Sequence, residues 1–447
     1  MNPFVSRFAL AASLGFALSV LRAAPAPEQP VPDRLDLKGA LQFALENNFT
    51  IRQARERIKQ QEGVEIEVRA RQIPNVSAGG SYTRNDKEIS TYQPQSDSNW
   101  GIAVQARQVL YAGGGVQASV KSARLAREAA VLEMQGIINE QLLLVRTRFL
   151  TVLLDRQRIT VQEENVQLLE EQLKNAKSRF DAGAASNFEV LRAEVALANG
   201  RPPLIQARND FRLAIEEMRQ ALGYVNSRGE NVAKVPEFLG SLDIGQPVEY
   251  QLPDALATAR ANRPELQRLA KLTDSGAARV VASRASARPE LDLVGSYNVV
   301  RGPFSPNWAS RLDGWAGGLQ MQWNIFDGRA TAGRVAQAKS QLSQTRLSLD
   351  EATLAVEVDV RRAYSSLQEA WELVQSTGKV VSQAEEALRL ANVRYNAGTA
   401  TQLDVLTSQV ALTEARLNQL LSYYGYNVAL ATMRQATGQA DPFVTNG

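Results

Sequence analysis

The chain of 447 residues contains no cysteine and no histidine. These absences exclude disulfides, Ser-His-Asp and Cys-His nucleophiles, and the usual nitrogen and sulfur ligands of zinc, haem and iron–sulfur clusters. With no cysteine to carry a lipid, membrane attachment must come from the fold. Carboxylate-pair or lysine chemistry is left open by composition, but no motif singles out such a group. The expectation is no enzyme activity, no cofactor and no metal site. Charge of one sign is lacking too: the formal net charge is +3, without a block of like charge, which speaks against nucleic acid as partner. Beyond the N-terminus no segment has the roughly 18 uninterrupted apolar residues of a membrane helix. A mature chain that enters a bilayer must therefore do so with strands.

Residues 1–26 read as a secretory signal: Arg7, an apolar run from Phe8 to Leu21, then Ala23, Ala24 and Ala26. A membrane anchor is the competing reading, disfavoured by the shortness of the run.

The rest is organised by a repeat. Arg179-Phe-Asp-Ala-Gly-Ala-Ala-Ser-Asn-Phe-Glu-Val-Leu returns 215 positions later as Arg394-Tyr-Asn-Ala-Gly-Thr-Ala-Thr-Gln-Leu-Asp-Val-Leu. Each copy ends one helical pattern at Gly183 or Gly398 and opens another with Glu189 or Asp404, which describes the tip of a helical hairpin. The offset also matches Pro74 with Pro289, Gly80-Ser-Tyr with Gly295-Ser-Tyr, Trp100 with Trp315, and Arg219-Gln-Ala-Leu-Gly with Arg434-Gln-Ala-Thr-Gly. No net insertion separates these landmarks, so one unit is used twice. The repeats are placed at 27–223 and 252–438, joined by a linker over 224–251 with room for a short strand, and followed by a tail over 439–447.

Each repeat opens with a helical arm, about 37–72 or 252–287, ended by Pro74 or Pro289. Period-two alternation then predicts strands at about 73–84 and 100–111, and at about 288–300 and 314–326. One face is apolar, as in Leu291, Leu293 and Tyr297, and the other polar, as in Asp292, Ser296 and Asn298. A half-buried hairpin over a soluble core fits that alternation. Strand length and the aromatic residues Tyr82, Trp100, Tyr297 and Trp315 toward the strand ends fit a membrane barrel wall with an aromatic belt facing lipid. Proline is scarce where helices should be longest, with none from Gln95 to Arg201 or from Asn307 to Asp441. The arms are placed at about 116–180, 188–222, 331–395 and 402–437. Val116 to Phe180 alone would span about 98 Å at about 1.5 Å per residue. Heptad seams run through Ala338, Leu342, Leu349, Ala352, Val356 and Ala363, and through Leu406, Val410, Leu417, Leu420 and Tyr424. Pro202 and Pro203 should kink or break the first returning arm.

The fold expected is mainly α with a small β part, four strands per chain. Four strands cannot close a barrel and lipid tolerates no open edge, so chains must pool them. Three copies would supply twelve, continuing below into a tube of antiparallel coiled coils.

The duplicated unit, the strand pairs ending in Tyr111-Ala-Gly and Phe326-Asp-Gly, and the two tips resemble the TolC-like outer-membrane efflux proteins. The resemblance implies a homotrimer in the outer membrane that extends across the periplasm. It would be the channel component of a tripartite efflux or secretion system, docking by its tips on a periplasmic adaptor and an inner-membrane transporter. It assigns adaptor contacts to Arg179, Gly183, Arg394 and Gly398, and a pore constriction to Asp404. Glu189, the first-copy counterpart of Asp404, is a second gate candidate; both acids could equally serve as helix caps. Thr407 stands where some members have a second aspartate, and Ala400 where some have a basic latch. The alternative is a soluble periplasmic coiled-coil scaffold or adaptor built from the same arms.

Overall fold

The computed structural model describes residues 32–84, 86, 98–224, 236–301, 310–439 and 441. The leader, most of the two inter-strand loops and most of the C-terminal tail lie outside the described residues.

The first repeat holds strand β1 (Arg34–Leu35), helices α1 (Leu37–Asn47) and α2 (Phe49–Arg69), strands β2 (Asn75–Arg84) and β3 (Ser98–Ala112), and helices α3 (Gly115–Asp181) and α4 (Asn187–Leu222). After β4 (Glu237–Phe238) the second holds α5 (Leu252–Asn262), α6 (Pro264–Ala285), β5 (Glu290–Arg301), β6 (Arg311–Gln322), α7 (Ala330–Asn396) and α8 (Gln402–Ala436). The two longest helices have 67 residues each, about 100 Å at about 1.5 Å per residue.

The opening arms are not the single helices that their periodicity predicts. Each breaks one-third of the way along, at Asn48 and at its repeat counterpart Arg263. Asn48 leaves helical geometry, and its side-chain oxygen accepts from the amides of Thr50 and Ile51, capping α2. In the second repeat Pro264 forces the preceding residue into extended backbone, and Arg263 takes φ −65°, ψ 118°. Both breaks receive the end of a returning helix. The Asn48 side-chain Nδ2 donates to the Ala221 carbonyl of α4 at 2.8 Å, and the Arg263 guanidinium donates to the Gln435 carbonyl of α8 at 3.2 Å.

Pro202 and Pro203 do not break α4, which runs continuously through them. The carbonyls that lose a donor belong to Ala198 and Asn199, both on the exposed side of the helix where water can replace the bond. The next residue, Gly200, packs so closely on Leu169 of α3 that a Cβ would stand 2.5 Å from its Cδ1. The predicted strand over 314–326 stops earlier, at Gln322, and starts earlier, at Arg311. The α8 seam also differs: Val410 is 56% exposed, whereas Val405, Gln409, Leu412 and Ala415 form the buried stripe.

Two cores mirror the duplication. Val145, Ala214, Met218 and Ala221 are buried in the first, and their counterparts Val360, Ala429, Met433 and Ala436 in the second. The first core extends onto β1 and β4, a parallel pair of two-residue strands. β1 lay outside the sequence expectations because two residues carry no readable period.

The four long strands form one antiparallel sheet in the order β2-β3-β5-β6. Its register separates two faces. Ser77, Gln105 and Ser296 align on the polar face; Ala78, Val104, Tyr297 and Trp315 align on the other. Every residue of both edge strands, β2 and β6, is exposed in the single chain.

Candidate functional site at the helical tips

The two hairpin tips share one backbone solution. Gly183 has φ 72°, its amide donates to the Phe180 carbonyl, and the Ala184 amide donates to the Arg179 carbonyl, both at 2.8 Å. Gly398 has φ 73° with the same pair of bonds to Tyr395 and Arg394, at 3.0 and 2.9 Å. This is the Schellman end of a helix, which needs the left-handed conformation that glycine adopts without penalty. A Cβ on either glycine would meet nothing within 4 Å, so each tip presents bare backbone to its surroundings.

The helices that leave the tips start differently. Thr401 caps α8: its hydroxyl accepts from the Asp404 amide at 3.3 Å, and the Asp404 carboxylate accepts from the Thr401 amide at 2.8 Å. These bonds to Thr401, with a smaller attraction from Arg394, hold the Asp404 carboxyl below its ordinary range. The capping interaction is therefore complete above the usual carboxylate range and is lost as pH falls through the lowered value. The Thr401 amide, which the carboxylate holds, should exchange faster relative to its intrinsic rate as the wild type is acidified. In Asp404→Ala its exchange should already be fast at neutral pH and show no such acid-linked step; identical profiles would remove the capping role.

Glu189 occupies the same position on α4 but makes no cap. Its carboxylate accepts from the Tyr395 hydroxyl at 3.2 Å, which ties the first hairpin to the second. Tyr395 is 8% exposed, packed among Ala391, Val405 and Leu388. The guanidinium of Arg179 lies 4.5 Å from its ring centroid, a cation–π contact. Burial raises the tyrosine pKa, with Glu189 adding to the rise and Arg179 opposing it, so the hydroxyl remains a donor. Further up, Leu406 packs with Leu169 and Leu197, Gln409 donates to Asn165, and Arg416 bridges Glu164 of α3 and Glu385 of α7.

Of the site residues named from sequence, the tips thus join Arg179 and Glu189 through Tyr395, while Asp404 engages its own helix start and Arg394 stands near it. Tyr395 was missed. The available signal was a difference between copies: Phe180 stands where Tyr395 stands, and a hydroxyl kept in only one of two equivalent places has a local partner. At the other end of the molecule, register sets Tyr82 opposite Trp100 and Tyr297 opposite Trp315, each pair on the apolar face.

The model of a family described as outer membrane efflux protein matches residues 40–224 and 255–439, one match on each repeat. The chain belongs to that family. Nodulation protein T of Rhizobium leguminosarum bv. trifolii is 22% identical over 412 residues, covering 90% of this chain and 85% of the relative. The outer membrane efflux protein BepC of Brucella suis is 23% identical over 415 residues, covering 90% and 85%. In structure, the outer membrane channel CmeC of Campylobacter jejuni has a similar fold, with a TM-score of 0.77 at 13% identity over 93% of this chain and 90% of that one. As an outer membrane efflux protein, the chain is a channel protein of the outer membrane that extends into the periplasm. That removes the soluble-scaffold alternative.

Proposed function

We propose that this outer membrane efflux protein is a homotrimeric, passive conduit without turnover of its own, gated at its helical tips and loaded by an inner-membrane transporter through a periplasmic adaptor. One observation carries the reading: the four-stranded sheet ends in two fully exposed edges, β2 and β6, and an unpaired edge is not tolerated in hydrocarbon. Pairing β6 of one copy with β2 of the next closes twelve strands around a polar lumen. The helices support the same assembly, because Leu347, Leu354 and Val358 of α7 lie exposed in the single chain. In this arrangement Tyr82, Trp100, Tyr297 and Trp315 form the aromatic belt at the lipid interface.

At the far end, Arg179, Gly183, Arg394 and Gly398 form the adaptor contact: an open glycine backbone admits close approach and the two arginines supply charge. Glu189 and Asp404 belong to the gate in different ways. Glu189 latches the hairpins through Tyr395, and Asp404 contributes fixed negative charge at the constriction. The adaptor opens the gate by favouring hairpins that have moved apart, a population shift.

The test uses the full-length protein in planar bilayers. Discrete channels of trimers are expected, and Tyr395→Phe, which deletes only the latch hydroxyl, should raise unitary conductance or open probability. Asp404→Ala should weaken cation preference without touching the latch. Absence of channels sinks the conduit; channels indifferent to Tyr395→Phe and Glu189→Gln sink the latch.

A further inference from the structure

At the end of the sheet face that turns inward in this conduit, where strands give way to helices, three arginines from the flanking segments gather. Register aligns Ala112, Glu290 and Gln322 across β3, β5 and β6 on that polar face. Beside them opens a cavity of about 330 Å³, in the range of small-molecule sites, into which Arg71, Arg288 and Arg334 converge with Gln322 and Asn324. Glu290 is the single acid of its lining.

None of the three arginines has a close carboxylate partner among the described residues. Arg71 reaches the Glu290 carboxylate only at 3.7 Å, and Glu290 is shared with Arg107 at 3.5 Å. Arg107 itself is engaged by Asp292, which accepts from its Nε at 2.8 Å. Arg288 donates to the Gly113 carbonyl at 2.9 Å, and among the described residues no carboxylate lies within ion-pair distance of it. Arg334 donates to Thr331 at 2.8 Å and stands 3.7 Å from Asp327. A guanidinium offers five donors in a planar fork, and Arg71 and Arg334, whose side chains are 56% and 54% exposed, present theirs to the passage.

We infer that this cluster is a luminal binding site for oxyanionic solutes, that is, carboxylates, phosphates or sulfates on the transported molecules. The inference rests on the conduit reading, since three copies would set nine arginines against three glutamates around one polar passage. Such a ring concentrates anions at mid-path and holds them weakly enough to leave, a requirement of conduction.

The probe is inorganic tripolyphosphate added on the barrel side of full-length trimers in planar bilayers. It should reduce the current through wild-type channels. In Arg71→Gln/Arg288→Gln/Arg334→Gln the half-inhibitory concentration should rise at least about tenfold, because charge-assisted bonds to phosphate are lost. The corresponding triple lysine variant keeps the charge and should stay within a few-fold of wild type. Equal inhibition of wild-type and glutamine channels overturns the site, as does a wild type insensitive to the probe. If the glutamine variant does not insert, Arg71→Gln alone, at the exposed edge of the cluster, must show the same direction of change or the site is refuted. Failure of the wild type to conduct at all refutes the conduit itself, a result distinct from these.

Discussion

Gly223→Ala is expected to destabilise the folded protein by about 2–5 kcal/mol, combining about 1–2 kcal/mol for left-handed backbone with about 1–3 kcal/mol for overpacking a filled site. Gly223 ends α4 at φ 74°, and a Cβ there would lie 2.4 Å from the Asn47 carbonyl oxygen and 2.9 Å from Asn48 Cα. Both obstacles are backbone at the α1–α2 break, and that backbone is fixed because Asn48 caps α2 and binds the Ala221 carbonyl at the same time. Gly183→Ala provides the internal control. Its φ of 72° is nearly identical, but its Cβ would meet open space, so only the conformational cost of about 1–2 kcal/mol applies. Thermal or denaturant unfolding of the two variants in detergent separates the terms. Equal losses would mean that docking against Asn47 contributes nothing. Gly438→Ala should fall between them, since its nearest contacts, at Asn262 and Arg263, are at 3.0–3.1 Å.

Phe149→Ala is the second large effect, expected at about 3–5 kcal/mol for emptying a buried aromatic site. Phe149 on α3 is 1% exposed, and its ring meets Phe238 of β4 edge-on, with centroids 5.9 Å apart and planes at 72°. Two-residue strands cannot hold themselves together, so β1 and β4 depend on this contact, on Leu35 and Leu242, and on Arg156, which donates to the Phe238 and Gly240 carbonyls. The consequence extends beyond stability: β4 should lose its place on α3 and become open to proteolysis before the long helices unfold. Phe238→Ala should reproduce this, and the double variant should cost less than the two single losses added together. Strict additivity, or a β4 segment as resistant as in wild type, would show that the ring pair does not seat it.

The long helices were legible because they violate no local rule: proline is absent from α3 and α7, and small or apolar residues recur at helical spacing. The strands were legible from alternation, and register then put Tyr297 and Trp315 side by side, as period two requires. The breaks at Asn48 and Arg263 were less visible. An asparagine within a helical pattern is ambiguous until its side chain finds the amides it caps, although Pro264 was a breaker in plain sight. Pro202 and Pro203 misled in the opposite direction, because the cost of a proline depends on whether water reaches the orphaned carbonyls.

The duplication, the equal tips, the four alternating strands and the absence of thiol and imidazole chemistry are all written in the order of residues along the chain. These are properties of neighbours along the chain, set by backbone sterics and by the periodicity of burial. It took the packing of the two hairpins to turn Glu189 toward Tyr395 while Asp404, in the equivalent place, closes its own cap. Both carboxylates satisfy the same local pattern. Which one is free to reach across depends on whether a hydroxyl from a helix more than 200 residues away arrives within hydrogen-bond distance, and no local rule encodes that meeting.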